Sequence, residues 1–146
     1  MTDNDRATCA ALAGFLRAGA LLAHWGFMLT CISVLVLGLT QGSPSTIAIM
    51  GFGGVVFLGA MERYFAVRLR FDAALFDSMA LNTVASLDAL DEAFVVLGLR
   101  QQRPQVPTRT LADRAHGTRQ LMSRHLFVVA GQSAVFLFTV IIQRSH

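Results

Sequence analysis

Residues 46–76 read TIAIMGFGGVVFLGAMERYFAVRLRFDAALF, and the class of protein follows from this stretch. Its first part, Ile47 to Phe65, is almost entirely apolar and has about the 20 residues that a helix needs to cross a bilayer. Its second part carries arginines and aspartates but keeps apolar residues at helical spacing. The stretch therefore predicts a transmembrane helix over about 47–65 that continues beyond the membrane.

The composition of the whole chain agrees with a membrane location. Of the 146 residues, 54% are hydrophobic and 14% are charged, whereas soluble domains carry about 25% charged residues. Two further apolar runs, over about 21–40 and 126–142, are long enough to span a bilayer, the second at the short end of the range. The predicted fold class is an all-α integral membrane protein with three transmembrane helices in one domain, residues 1–146.

A seam of residues spaced alternately by three and four runs through the second helix and its continuation. Such spacing is typical of helices that pack side by side. The simplest prediction is one long helix that leaves the membrane and runs to about residue 99, with Asn82–Thr83 and Ser86 as the favoured places for a break. The seam comprises Phe52, Val55, Gly59, Glu62, Ala66, Leu69, Ala73, Phe76, Ala80, Thr83, Leu87, Leu90, Phe94 and Leu97.

Residues 66–125 are predicted to form a cytoplasmic helical segment that extends the second and third spans. The extension of the second span is acidic and that of the third is basic, which favours antiparallel packing between them. The acidic extension is the longer, so either it bends or its far half packs on another subunit, and the continuous seam favours the second. In an alternative interpretation, residues 68–79 lie on the membrane surface, with their apolar side chains inserted.

The distribution of arginine predicts the orientation and the membrane. All 12 basic residues are arginines, and nine of them lie at positions 63–124, between or beside the second and third spans. Basic loops stay cytoplasmic, so the N-terminus is predicted inside and the C-terminus in the periplasm or outside the cell. An arginine-only, alanine-rich composition is typical of GC-rich bacterial genomes, which indicates a multi-pass protein of the bacterial inner (plasma) membrane. The bilayer is the predicted partner, and nucleic acid is not.

Ionisable and polar residues near the inner ends of the spans form the candidate site. His24 and Glu62 each lie 16 residues from the predicted outer turn (24 to 40 and 46 to 62), or about 24 Å. His125 begins the third span on the same side, Arg17 precedes His24 by two helical turns, and Gln132 lies midway along the third span. Burying ionisable groups in a membrane is costly, so such residues suggest a proton relay, a cation site or a pore lining.

A structural interpretation of the same residues is also open. Glu62 can pair with Arg17 or Arg63 and fix how the helices pack, and Gln132 can form a hydrogen bond between helices. Trp25 and Tyr64 are the only Trp and Tyr residues of the chain, and they are expected to anchor this level of the protein at the membrane interface. That placement favours structural pairing over proton relay.

Glycines of the second span, Gly51, Gly54 and Gly59, predict close helix packing. Small residues let helix backbones approach each other in lipid. A phosphate-binding loop is excluded, because these glycines lie within an apolar span and no lysine follows them. The chain shows neither the ligand spacing of a metal site nor a nucleophile arrangement, so no metal and no cofactor are predicted.

These observations favour a small non-enzymatic subunit of the inner membrane that assembles through helix packing. It would do so as a homo-oligomer or as an accessory subunit of a larger membrane complex, through self-association or binding to another membrane protein. The first alternative is an oligomeric ion or proton channel lined by His24, Glu62 and Gln132. The second is a membrane enzyme, which needs a reactive group that the sequence does not show.

Overall fold

The computed structural model describes residues 2–39, 45–82, 95–96, 98 and 110–145. It contains helices α1 (Asp3–Ala18), α2 (Ala20–Leu39), α3 (Thr46–Ala80) and α4 (Leu111–Ser145). Only Gly19 separates α1 from α2, so these two helices form one rod of 37 residues. The three rods are each long and apolar enough to span a membrane. The prediction of an all-α chain with three candidate spans is thus confirmed.

Side-chain caps begin the helices where the sequence offers them. Thr2 and Asp5 form a reciprocal capping box at the start of α1, and Ser45 accepts a hydrogen bond from the backbone of Ala48 at the start of α3. Thr110 and Asp113 exchange the same kind of hydrogen bonds at the start of α4. Each cap satisfies backbone N–H groups that have no partner within the helix.

The helix α3 ends at Ala80, which corrects the expectation of one helix running to about residue 99. Leu81 caps the helix, and Asn82 has a φ of 57°, a left-handed conformation that a helix cannot continue through. Asparagine tolerates this conformation better than most residues. The break thus falls at the predicted Asn82–Thr83 position. Most of the predicted continuation over 83–99 lies outside the described residues.

The seam of α3 is buried within the chain itself. Its buried residues repeat at spacings of three and four, as predicted from Phe52 to Phe76, and the last one is Met79 in place of Ala80. The rod of α1 and α2 has the same spacing, and so does α4. Three rods with such seams pack against one another as a helical bundle. The buried α3 residues are Ala48, Phe52, Val55, Gly59, Glu62, Ala66, Leu69, Ala73, Phe76 and Met79.

The second half of α3 packs on α1. The predicted contact with another subunit concerned the far half of the acidic extension, most of which lies outside the described residues. Cys9, Leu12 and Leu16 of α1 form one buried apolar cluster with Leu69 and Phe76 of α3. These α1 residues therefore cover the second half of the α3 seam. A helix of 35 residues is about 52 Å long, well beyond the roughly 30 Å hydrocarbon core. Which side this extension occupies stays a prediction.

The half of the bundle that contains the predicted spans has the opposite arrangement of polar and apolar residues from the extension. Large apolar side chains cover its outside, while buried polar residues lie between the helices. Lipid accepts apolar surface without cost, whereas polar groups there need partners inside the protein. This inversion fits a membrane-embedded half next to an extension with an apolar core. The buried polar residues of this half are Ser33, Glu62, His125, Gln132 and Thr139, whereas Thr118 is buried in the extension.

Asp72 links α3 to α4 in the extension. Thr118 donates a hydrogen bond of 3.3 Å to its carboxylate. Burial raises the pKa of Asp72 above its ordinary value of 3.8, and the nearby Arg68, Thr118 and Arg114 offset part of that effect. Ionisation of Asp72 is therefore less favourable in the folded chain than in the unfolded chain. The folded state accordingly loses stability as the pH rises above 3.8, where Asp72 of the unfolded chain ionises first.

Replacing Asp72 with asparagine should remove this loss and keep an acceptor for Thr118. We expect the thermal midpoint in detergent at pH 7 to rise by up to about 2 °C, and the difference from the wild type to vanish near pH 3.5. Melting curves of both proteins at the two pH values test this. A lower midpoint for D72N at pH 7 would show that the arginines outweigh burial.

Candidate functional site

Glu62 is the centre of a polar cluster that joins three helices. Its side chain is 0% exposed. One carboxylate oxygen lies 2.8 Å from Arg63 Nε, and the other lies 3.1 Å from His125 Nε2. The buried carboxylate therefore has a cationic partner on its own helix and an imidazole partner on α4. This pairing offsets the cost of removing its charge from water.

Arg63 carries the cluster from α3 to α2. Its guanidinium donates a hydrogen bond to the backbone oxygen of Ala23 and lies over the ring of Phe27, 4.8 Å from the ring centre. A guanidinium provides several donors in a fixed plane, so it can serve a carboxylate, a carbonyl and an aromatic face at once. Sequence reasoning weighed Arg63 only as a partner for Glu62 and missed its contacts with α2.

His125 has one partnered and one unpartnered ring nitrogen. Nε2 faces the Glu62 carboxylate and so carries a proton that it donates. Nδ1 is buried and has no hydrogen-bond partner within the described parts of the chain. In the neutral ring with its proton on Nε2, the unpartnered atom is an acceptor rather than a donor. The ring is 1% exposed and also lines a cavity between the other helices.

Gln132 forms a second polar connection toward the centre of the bundle. Its Nε2 donates to the backbone oxygen of Gly26 and to the hydroxyl of Thr30, both at 2.9 Å. The backbone oxygen of Val55 lies 3.4 Å away. These contacts join α4 to α2 and α3, as the structural interpretation of Gln132 expected. Its Oε1 is buried without a partner among the described residues.

The structure separates Arg17 and His24 from the rest of the candidate site. Arg17 forms an ion pair of 2.6 Å with Asp77 in the extension, not with Glu62. His24 is exposed, and its Nδ1 lies 2.6 Å from the backbone oxygen of Ala20 in its own helix. His24 thus lies on the outside of the bundle, although its distance from the outer turn predicted that it would lie beside Glu62. Glu62, His125 and Gln132 are the predicted residues that the structure brings together.

The predicted packing glycines lie at helix contacts within the chain. A Cβ at Gly51 would overlap the Thr139 side chain, and a Cβ at Gly59 would overlap the Thr30 hydroxyl. At Gly54 the nearest side-chain atom, from Val135, would lie at 3.8 Å, an ordinary contact. The close approach between helices therefore requires glycine at positions 51 and 59, whereas the space at Gly54 would also accommodate a Cβ.

Gly26 of α2 is a packing residue that sequence reasoning missed. A Cβ there would lie 3.0 Å from both Gln132 Oε1 and Glu62 Cγ. The signal was available, because Ala23, Gly26 and Thr30 follow the same three-and-four spacing as the α3 seam. His24 is out of phase with this spacing. The residues of α2 that face the cluster are therefore identified by their three-and-four spacing as well as by their depth along the helix.

The chemistry of the cluster is that of a buried, largely neutralised ion pair. No group of three or more potential metal-binding side chains occurs among the residues that the structure describes. Trp25 donates to the Ser133 hydroxyl at 3.1 Å, so the predicted anchor also joins α2 to α4.

No protein-family model, curated protein or solved structure matches this chain. Its function must therefore be argued from the geometry.

Proposed function

We propose that the chain is a non-enzymatic membrane subunit that assembles through its helices, as a homo-oligomer or within a larger membrane complex. Its buried polar side chains are used within one chain to hold the three rods together. What remains for a partner is the outer surface of the spans. A surface that supports helix association in lipid needs small residues that let a second backbone approach.

The outer face of α4 provides such a surface, and this observation carries the proposal. Ala130 and Ala134 are both exposed and lie one helical turn apart, and a Cβ at the adjoining Gly131 would meet no atom within 4 Å. Phe127 and Phe138 flank these small residues and are 74% and 66% exposed. Small residues between large aromatic ones create a notch that fits a helix from another subunit.

An open apolar groove between α3 and α4 adjoins this face. Ala134 and Phe138 line it together with Met50 and Gly51 of α3. The groove lies away from the Glu62 cluster, and neither Arg nor Glu lines it. A packed helix can fill such a groove more completely than mobile lipid chains, and dispersion contacts then favour association. We therefore place the proposed contact along α4, centred on Ala134.

Replacing Ala134 with leucine should weaken assembly without disturbing the fold, because the added atoms point away from the bundle. We expect at least about a fivefold loss of self-association, since overpacking a close contact costs about 1–3 kcal/mol. Energy transfer between labelled copies in liposomes, measured over a range of protein-to-lipid ratios, gives the association constant.

The matched control is Ala60→Leu, which makes the same change at an exposed position of α3. Its association should equal that of the wild type. If A134L associates as strongly as A60L and the wild type, the α4 face is not the contact. Thermal melting of the variants verifies that both remain folded.

A proton-conducting oligomer remains the second candidate, because one specific contact favours it. His125 lines a cavity in the extension and also contacts Glu62, so it connects that cavity with the buried carboxylate. Proton flux into liposomes that Glu62→Gln abolishes would favour this function over a purely structural subunit. His24 lies on the outside of the chain, so it can take part only at a contact between subunits.

A further inference from the structure

A cavity of about 410 Å³ lies between the junction of α1 and α2 and the second half of α3. His125 of α4 lines the same cavity. The cavity straddles the predicted ends of the first two spans, because Ala23 and Ala66 line it near the membrane side and Asp77 lines it farther out. It is thus situated where the apolar interior of a bilayer gives way to headgroups.

Apolar residues, most of them small, form most of the cavity wall. Alanines on α2 and α3 and the glycine between α1 and α2 leave space that larger side chains would fill. A Cβ at Gly19 would instead meet the Met122 side chain behind it. Such a wall suits an alkyl chain, which needs apolar contact and no hydrogen bonds. The wall comprises Leu16, Gly19, Ala20, Ala23, Ala66, Leu69, Ala73 and Ala74.

The charged residues of the cavity leave one positive charge uncompensated. Arg17 and Asp77 pair with each other at 2.6 Å. Arg70 lines the same cavity and has no ion-pair partner within residues 2–39, 45–82 and 110–145. His125 adds a buried ring whose Nδ1 also has no partner there. Among the described residues, the polar group of the cavity that is available to an anionic ligand is therefore the Arg70 guanidinium.

We propose that this cavity binds an anionic amphiphile, with its carboxylate or phosphate head at Arg70 and its alkyl chain along the alanines. A guanidinium binds both kinds of anion through paired hydrogen bonds, and basic pockets beside membrane helices suit anionic lipid heads. The same chemistry is found in a free fatty acid and in an anionic membrane lipid. The binding is independent of the assembly proposed above, since the α4 face lies elsewhere on the chain.

The test uses the full chain in nanodiscs of phosphatidylcholine, to which dodecanoate is added or into which phosphatidylglycerol is mixed. Native mass spectrometry counts the anionic molecules that stay bound to the chain. We expect one saturable site, at least tenfold weaker in Arg70→Gln. Arg68→Gln is the matched control, because Arg68 lies on the same helix but does not line the cavity, and it should bind as the wild type does.

Two further measurements separate this site from general attraction to charge or to apolar surface. Ala74→Leu adds bulk to the cavity wall at an exposed position and should also weaken binding at least fivefold. Dodecanol, the neutral analogue, should not saturate the site. Binding that is lost equally in R68Q and R70Q, or dodecanol binding as tight as dodecanoate, would overturn the proposal. Saturation by dodecanoate alone identifies a free acid, and saturation by phosphatidylglycerol identifies a membrane lipid.

Discussion

Replacing Glu62 with alanine is expected to destabilise the chain by about 3–5 kcal/mol, the usual cost of removing one partner from a buried ion pair. The change leaves His125 Nε2 without its acceptor and Arg63 without its counter-ion, while both stay close to the apolar interior. Unfolding titrations with SDS in mixed micelles measure this loss. Hydrogen bonds between membrane helices average only about 0.6 kcal/mol, so a loss of this size requires that Arg63 and His125 are both left without a partner.

Glu62→Gln is the matched control for this prediction. Glutamine keeps the length of the side chain and one oxygen for Arg63 or His125 but lacks the charge. We expect it to lose less than half as much stability as the alanine variant. The double variant Glu62→Ala, His125→Leu should lose less than the sum of the two single losses, with a coupling of at least about 1 kcal/mol. Strictly additive losses would show that the two side chains do not support each other.

Replacing Gly59 with leucine is expected to separate α3 from α2 and to disrupt the second polar connection. A Cβ at this position already overlaps the Thr30 hydroxyl and lies 3.1 Å from Gln132 Nε2. The larger side chain must displace Thr30, which takes away one of the acceptors of Gln132. Overpacking costs about 1–3 kcal/mol, and a buried polar group left without a partner adds about as much.

Gly53→Leu is the control for this second variant, since a Cβ there meets no atom within 4 Å among the described residues. It makes the same exchange six residues earlier in the same helix and should leave the SDS unfolding midpoint within about 0.5 kcal/mol of the wild type. Equal destabilisation by G53L and G59L would mean that loss of glycine, not the contact with Thr30, causes the effect.

Periodicity in the sequence was enough to predict the seam of α3, because its buried face repeats without interruption from Phe52 to Phe76. It was not enough to predict what covers that face. The second half of α3 is covered by α1, which the spacing within α3 alone does not reveal. Cys9, Leu12 and Leu16 have the same spacing, but a short helix with charges at its start resembles an exposed segment when considered alone.

The candidate site was predicted in part for a similar reason. Distance from a turn gives the depth of a residue along a helix, and depth brought Glu62 and His125 together correctly. It gives no information on which side of the helix a residue faces, so it also selected His24, which lies outside. Arg63 was missed as a link to α2 because the backbone oxygen of Ala23 and the ring of Phe27 become partners only after packing.

The number of chains per particle in lipid tests the proposed function most directly. Single labelled chains in liposomes can be counted by stepwise photobleaching while the protein-to-lipid ratio is lowered. The α4 face predicts particles of two or more chains that dissociate only at high dilution, or one chain bound stoichiometrically to a different subunit when extracted from its native membrane. A single chain at every dilution, without a bound subunit after native extraction, would contradict assembly as the function.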